Sequence, residues 1–98
     1  MSAYLLIDAH VTDEARYAEY RQWSSRAMQE HGAEVLVRGG PVTVLEGAWQ
    51  PSRIVVLKFP SREAAEGFYR SATYQQGRLL RQGAADVKMI IVEGFVPA

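Results

Sequence analysis

Cysteine is absent from the 98 residues, and its absence excludes several kinds of chemistry at once. Without it the chain has no disulfide, no thiolate nucleophile and no cysteine-ligated zinc site. Histidine is scarce as well, because His10 and His31 are the only two. They fall on different predicted elements, whereas a metal site needs a cluster of ligands with consistent spacing. We therefore expect neither a metal nor another cofactor.

No charge of one sign is in excess. The 11 basic and 11 acidic residues give a formal net charge of zero, and the two signs are mixed along the chain. Nucleic-acid binding depends on clustered Lys and Arg that neutralise phosphates, and electrostatic membrane anchoring also needs a basic cluster. We therefore expect neither nucleic acid nor a membrane as a partner.

Long apolar stretches are also missing. The longest apolar runs hold about half a dozen residues, far fewer than the ~20 that span a bilayer. Residues 1–4 lack the basic start and the apolar stretch of a signal peptide. From these absences we expect a cytoplasmic protein.

The sequence does contain four strand-like segments separated by helical ones. Apolar, β-branched runs predict strands at residues 4–11, 34–38, 53–59 and 86–96. Apolar residues three and four apart predict helices at 13–31, from 61 onward, and at 74–82. Thr12 and Ser61 are the expected N-caps. Gly39-Gly40-Pro41 interrupts the second strand, and residues 42–45 either continue that strand or form a flap.

The order of these elements, β-α-β-β-α-β, predicts one ferredoxin-like domain of the α+β class over residues 1–98. Two right-handed crossovers give a four-stranded antiparallel sheet with the helices on one face. The other face is then open, and strand alternation predicts that it carries Leu6, Val56, Met89 and Ile91. Because a monomer exposing so apolar a face would associate, we expect a homodimer through it.

Several short motifs carry a resemblance to a known family. They are Arg38-Gly39-Gly40, Leu45-Glu46-Gly47-x-Trp49-x-Pro51-x-Arg53, Phe59-Pro60-Ser61, Ser71-x-x-Tyr74, Arg81 and Val92-Glu93-Gly94. Together they resemble the domain of unknown function thirteen-thirty, in the dimeric α/β-barrel superfamily. The resemblance implies two ferredoxin-like subunits whose sheets face each other. It implies no reaction, because the family has no established activity.

Arg38, Glu46 and Arg53 form the first candidate site, since all three border the irregular segment after the second strand. If the two arginines point into one cleft, they can clamp a carboxylate while Glu46 acts as a base. The alternative is that Glu46 pairs with one arginine and only fixes the loop.

His10 and Asp8 form the second candidate site. An imidazole suits proton transfer, and Asp8, two residues earlier on the same strand face, is placed to orient it. The alternative is an ordinary hydrogen-bonded histidine at a strand end. His31, at the last turn of the first helix, is expected to favour the helix dipole only.

Aromatic residues supply the remaining candidates. Tyr20 and Tyr74 are expected at the edge of a pocket, because the family resemblance includes them and because buried hydroxyls need partners. Trp49, in a short loop with Gly47 and Pro51, is expected to cover the pocket or the subunit interface. Arg81 joins the ligand-binding set through the family resemblance. The alternative for the tyrosines is a purely structural place in the core.

Two classes of function follow. The first is a cofactor-independent enzyme, or a binder, of a small anionic or aromatic molecule. The second is a non-catalytic dimeric module for ligand sensing or structure. An RNA-recognition motif shares the element order, but it needs aromatics along the third strand. That strand, residues 53–59, has a single aromatic at its end, so RNA binding is not expected.

Overall fold

The computed structural model describes residues 1–97 and has the predicted ferredoxin-like arrangement. Its elements are β1 (Ala3–Val11), α1 (Glu14–Glu30), β2 (Glu34–Arg38), β3 (Ile54–Phe59), α2 (Arg62–Arg70), α3 (Ala72–Arg81) and β4 (Ala85–Glu93). The strands form one antiparallel sheet in the order β2-β3-β1-β4, so β3 and β1 are central. The predicted α+β fold is therefore confirmed, with the second crossover helix in two pieces.

Local capping explains where the helices begin. The prediction that Thr12 caps α1 is wrong, because the Thr12 amide donates to Ala84 O at 2.8 Å and the Asp13 carboxylate accepts from Arg16 N. Ser61 caps α2 as predicted, through a bond from Ala64 N to its Oγ at 3.1 Å. Among residues 1–97, no helix is long and apolar enough to cross a membrane.

The core lies between the sheet and the helices. Along β1, burial alternates strictly, and Leu5, Ile7 and Ala9 point toward the helices. Phe59 of β3 and Phe68 of α2 meet there, with ring centroids 5.3 Å apart. The helices thus cover one face only, and we call the other the open face.

The composition of the open face differs from the expectation on β4. Met89 lies opposite Ile7, and Ile91 lies opposite Leu5, so both pack into the core. Residues directly opposite in an antiparallel ladder share a face. The apolar β4 residues on the open face are Ile90 and Val92, beside the charged Asp86 and Lys88, and the prediction of Met89 and Ile91 is wrong.

Residues 40–52 leave the sheet and form what we call the arm. Residues 42–45 have no strand structure, so the predicted strand continuation is wrong and the flap alternative describes them. Leu45 is 90% exposed and Trp49 is 66% exposed. Gly39 adopts φ +69, a backbone conformation that permits the chain to turn away at the end of β2.

Candidate functional site

A bulge in β2 decides which predicted residues meet. Glu34 and Val35 pair in register with Lys58 and Leu57, and the register then shifts so that Val37 lies opposite Val56. A shift of one residue moves every following side chain to the other face of a sheet. The bulge therefore places Arg38 opposite Val55, on the helix side where Arg53 also lies.

The candidates consequently divide between the two faces of the sheet. Arg38, Arg53 and Tyr20 line one cleft on the helix side, between α1 and the β2–β3 edge. We call this the arginine cleft. Asp8, His10 and Trp49 meet on the open face, at the end of β1. The two groups thus lie on opposite faces of the sheet, and at the end of β1 His10 and Arg53 border one shared, shallow space.

The arginine cleft has a third arginine that the sequence analysis missed. Arg21 of α1 lies along it, with its Cζ 5.6 Å from the centre of the Tyr17 ring. Tyr17, Arg21, Ser24 and Met28 all line the cleft and follow one another at spacings of three and four. That helical spacing is the signal in the sequence that identifies Arg21.

The cleft carries positive charge that the protein does not neutralise. No Asp or Glu lines it, and among the described residues 1–97 none of its three arginines forms a salt bridge. Glu46 does not line the cleft and forms no ion pair within that same range. The structure therefore brings Arg38 and Arg53 together and leaves Glu46 outside, in the exposed arm.

Glycine at position 39 lets Arg53 lie against the backbone. A Cβ atom on Gly39 would be 3.0 Å from Arg53 Nε, a tighter contact than most Cβ atoms make. The Gly39 amide also donates to Ile54 O at 2.8 Å. The turn at the end of β2 is thereby tied to the start of β3, next to Arg53.

Behind the cleft lies a buried polar group formed by Tyr20, Tyr74 and Arg81. The two tyrosine hydroxyls are 2.8 Å apart, and Arg81 Cζ lies 5.3 Å from the centre of the Tyr20 ring. Arg81 Nε is buried and has no hydrogen-bond partner in the part of the chain that is described. The structure thus joins these three candidates to each other, and Tyr20 joins them to the cleft.

Burial sets the protonation of this group. Desolvation, together with the neighbouring Tyr74 hydroxyl, raises the pKa of Tyr20 far above its ordinary value. Burial works against the charge on Arg81, but the hydroxyls of Tyr74 and Tyr20 outweigh it, so the pKa of Arg81 is raised as well. At neutral pH a protonated phenol therefore lines the cleft, and the charged guanidinium of Arg81 lies behind it, against the Tyr20 ring.

On the open face, Asp8 anchors the arm. Its Oδ2 accepts from Trp49 Nε1 at 3.1 Å, and its Oδ1 accepts from Ser52 N at 3.0 Å. Desolvation works to raise the pKa of Asp8, but these hydrogen bonds outweigh it and hold the pKa below its ordinary value. Asp8 is therefore an ionised anchor whose oxygens are both engaged.

His10 is held by a different residue from the one expected. Its Nδ1 lies 3.1 Å from Ser52 Oγ, whereas Asp8 binds the arm and does not orient the imidazole. Ser52 was missed because it lies between Pro51 and Arg53, at a position that the motif leaves unspecified, and no other sequence signal marks it. The Ser52 contact leaves Nε2 of His10 available to a ligand.

Two spaces adjoin this anchor. One is an apolar slot of about 220 Å³ between Trp49 and the sheet, and the other is a wider, more polar vestibule of about 820 Å³. Asp8, Trp49 and Lys88 border both. Across residues 1–97, no three His, Asp or Glu side chains cluster as metal ligands would.

Comparison with solved structures shows the fold. A protein of unknown function from Rhodopseudomonas palustris is 21% identical, with a TM-score of 0.77 over 98% of this chain and 84% of that one. A putative antibiotic biosynthesis monooxygenase from Nitrosomonas europaea is 19% identical, with a TM-score of 0.57 over 97% of this chain and 92% of that one. A dimeric ferredoxin-like protein of unknown function from Jannaschia sp. CCS1 is 11% identical, with a TM-score of 0.63 over 96% of this chain and all of that one.

No curated protein matches the chain. The family model described as a domain of unknown function, DUF1330, matches residues 2–95, which is nearly the full length. The fold of the solved structures agrees with the predicted resemblance. The chain therefore belongs to the DUF1330 family.

Proposed function

We propose that this protein binds a small carboxylate-bearing molecule in the arginine cleft. The observation that carries the proposal is the convergence of Arg21, Arg38 and Arg53 on one cleft that no carboxylate lines. The whole chain has zero net charge, so this is a local concentration and not a consequence of a basic protein. Guanidinium groups bind carboxylates in a bidentate manner, which gives both strength and orientation.

The size of the cleft supports a carboxylate group over a larger ligand. Its volume is about 40 Å³. Since a cavity needs a volume of roughly 10–15 Å³ to hold one water molecule, the cleft has room for about three waters. A carboxylate group fits in this space, while the remainder of the ligand lies outside, along the exposed β2 strand.

The groups around the cleft support binding without catalysis. Tyr20 is protonated at neutral pH and can only donate or accept a hydrogen bond there. The candidate base Glu46 lies outside the cleft, and His10 is on the opposite face of the sheet. We therefore favour a ligand-binding module over a cofactor-independent enzyme.

Thermal unfolding with acetate, compared with chloride at equal ionic strength, tests the proposal. Acetate is expected to raise the melting temperature of the wild type and to have no effect on Arg38→Ala. Arg38 is exposed and unpaired within residues 1–97, so its removal should leave the unliganded melting temperature nearly unchanged. Arg26→Ala is the control for removal of one arginine, because Arg26 of α1 does not line the cleft and stacks on Trp23.

The result that contradicts the proposal is equally clear. If neither acetate nor formate shifts the wild type, and Arg38→Ala is clearly destabilised without ligand, the arginines have a structural role only. Loss of the acetate effect in Arg26→Ala as well would indicate a general charge effect in place of a site.

We further propose that two copies associate through the open face. Support comes from the apolar side chains that this face presents on three strands, among them Leu6, Val56 and Ile90. Large exposed apolar patches are typical of interaction surfaces. One structural neighbour is a dimeric ferredoxin-like protein. The cytoplasmic location expected from the sequence stays a prediction.

A further inference from the structure

The slot beneath Trp49 has the properties of a second small-molecule site, distinct from the arginine cleft. The Trp49 indole forms one wall, and Leu6, Ile54 and Ile90 of the open face form the other. The indole is tied to the sheet by its bond to Asp8, and the arm is tied by the bond from Ser52 N. Fixing both walls in this way preorganises the slot.

The slot is open to solvent on one side, and its volume indicates the size of the group that it can cover. An engineered apolar cavity of about 150 Å³ takes up benzene, and the slot measures about 220 Å³. It therefore has room for one aromatic ring with a substituent. Stacking against the indole adds to the gain from burying the ring. The arginine cleft, at about 40 Å³, is too small for a ring.

The charged side chains at the end of the slot determine which polar group on the aromatic ring can bind there. Lys88 borders both the slot and the vestibule, and His10 and Asp86 lie in the vestibule beyond it. The oxygens of Asp8 are already engaged, yet its negative charge remains. A carboxylate here would meet the negative charges of Asp8 and Asp86. A hydroxyl can accept from the Lys88 ammonium and donate to an imidazole or carboxylate.

We infer that the Trp49 slot binds a monocyclic phenol, with its ring between the indole and the sheet and its hydroxyl at Lys88. The inference does not depend on the arginine cleft, since the two spaces lie on opposite faces of the sheet. The competing occupant is a side chain of a second copy, because the slot opens on the face through which we propose self-association.

Nitrogen-labelled protein gives a direct readout, because the chain has two tryptophans, Trp23 and Trp49. Trp23→Phe assigns the two indole N–H signals in a two-dimensional NMR spectrum. Phenol is expected to shift the Trp49 signal in a saturable manner and to leave the Trp23 signal in place. Benzoate and cyclohexanol serve as comparators that change, respectively, the charge and the aromaticity of the probe.

Substitutions then locate the site. Trp49→Ala is expected to weaken phenol binding, measured by calorimetry, by roughly tenfold through loss of the stacking wall. Its melting curve and amide spectrum establish that it remains folded. Arg38→Ala is the control on the other face and should bind phenol as the wild type does.

Four outcomes overturn the inference. One is a Trp49 signal that does not respond to phenol, and another is benzoate binding as tightly as phenol. A third is unchanged affinity in Trp49→Ala. The fourth is a Trp49 signal that changes only on dilution of the protein, which would mean that a second copy fills the slot.

Discussion

The Tyr20 hydroxyl is buried against Tyr74 and Arg81, so the stability of the fold depends on its keeping its proton. Tyrosine ordinarily titrates near 10.0, and burial raises the pKa of Tyr20 in the folded protein. As pH rises, the unfolded chain therefore loses this proton first. The contribution of the protonated Tyr20 hydroxyl to the free energy of unfolding is fully present below about pH 10 and declines above it.

Chemical denaturation at roughly pH 9 and pH 11 tests this expectation. The free energy of unfolding should fall between the two, and it should fall less in Tyr20→Phe, which has no proton to lose at this position. At the lower pH the same variant should be less stable by about 1–3 kcal/mol, because it leaves the Tyr74 hydroxyl without its buried partner. Equal declines in the wild type and in Tyr20→Phe would contradict the account.

Among the secondary-structure elements, the contact between α1 and α3 is the most sensitive to a small change. A Cβ atom on Gly77 would lie 2.5 Å from Trp23 Cβ, so Gly77→Ala must push the two helices apart. Overpacking of this kind costs about 1–3 kcal/mol. Urea denaturation should therefore show Gly77→Ala to be clearly less stable than the wild type.

Gly67 of α2 provides the matched control. A Cβ atom on Gly67 would lie 3.9 Å from its nearest neighbour, His31 Nδ1, which is an ordinary contact distance. Gly67→Ala should thus stabilise the protein by about 0.5–1 kcal/mol through helix propensity alone. Similar effects of the two substitutions would mean that the close approach of α1 and α3 is not required.

Most helices and strands were predictable from residues close together in the sequence. The candidate site instead depends on the register in which strands far apart in the sequence pair. Ser61 and the break at Ser71 were identified from capping and composition, and both act as caps. The prediction assigned the wrong β4 residues to the open face. Asp86 and Lys88, the charged residues in the first half of the strand, mark the side that faces away from the helices. The bulge in β2 has no local signal, yet it alone brings Arg38 to the side of the sheet where Arg53 lies.

For the whole molecule, the open face predicts self-association. Ile90, 59% exposed on β4, is the most accessible of its apolar residues on the strands. A stable interface buries at least about 1,000 Å² in total. Sedimentation of the wild type at micromolar concentration should show a dimer, and Ile90→Lys should shift it toward the monomer without loss of the fold.

The corrected assignment of β4 supplies the control for that experiment. Ile91 packs into the core, so Ile91→Lys should unfold the chain and not merely dissociate it. A monomeric wild type at micromolar concentration would contradict the proposed association. A dimer that Ile90→Lys leaves intact would place the interface on another surface.

The central claim, carboxylate binding by the arginine cleft, is tested most directly by the dissociation constant of acetate. Titration calorimetry should give saturable binding to the wild type. Removal of a charge-assisted hydrogen bond costs about 1.5–3 kcal/mol, so Arg38→Ala and Arg53→Ala should each weaken binding by roughly 10- to 100-fold. No measurable binding to the wild type, or equal affinity in all three proteins, would contradict the claim.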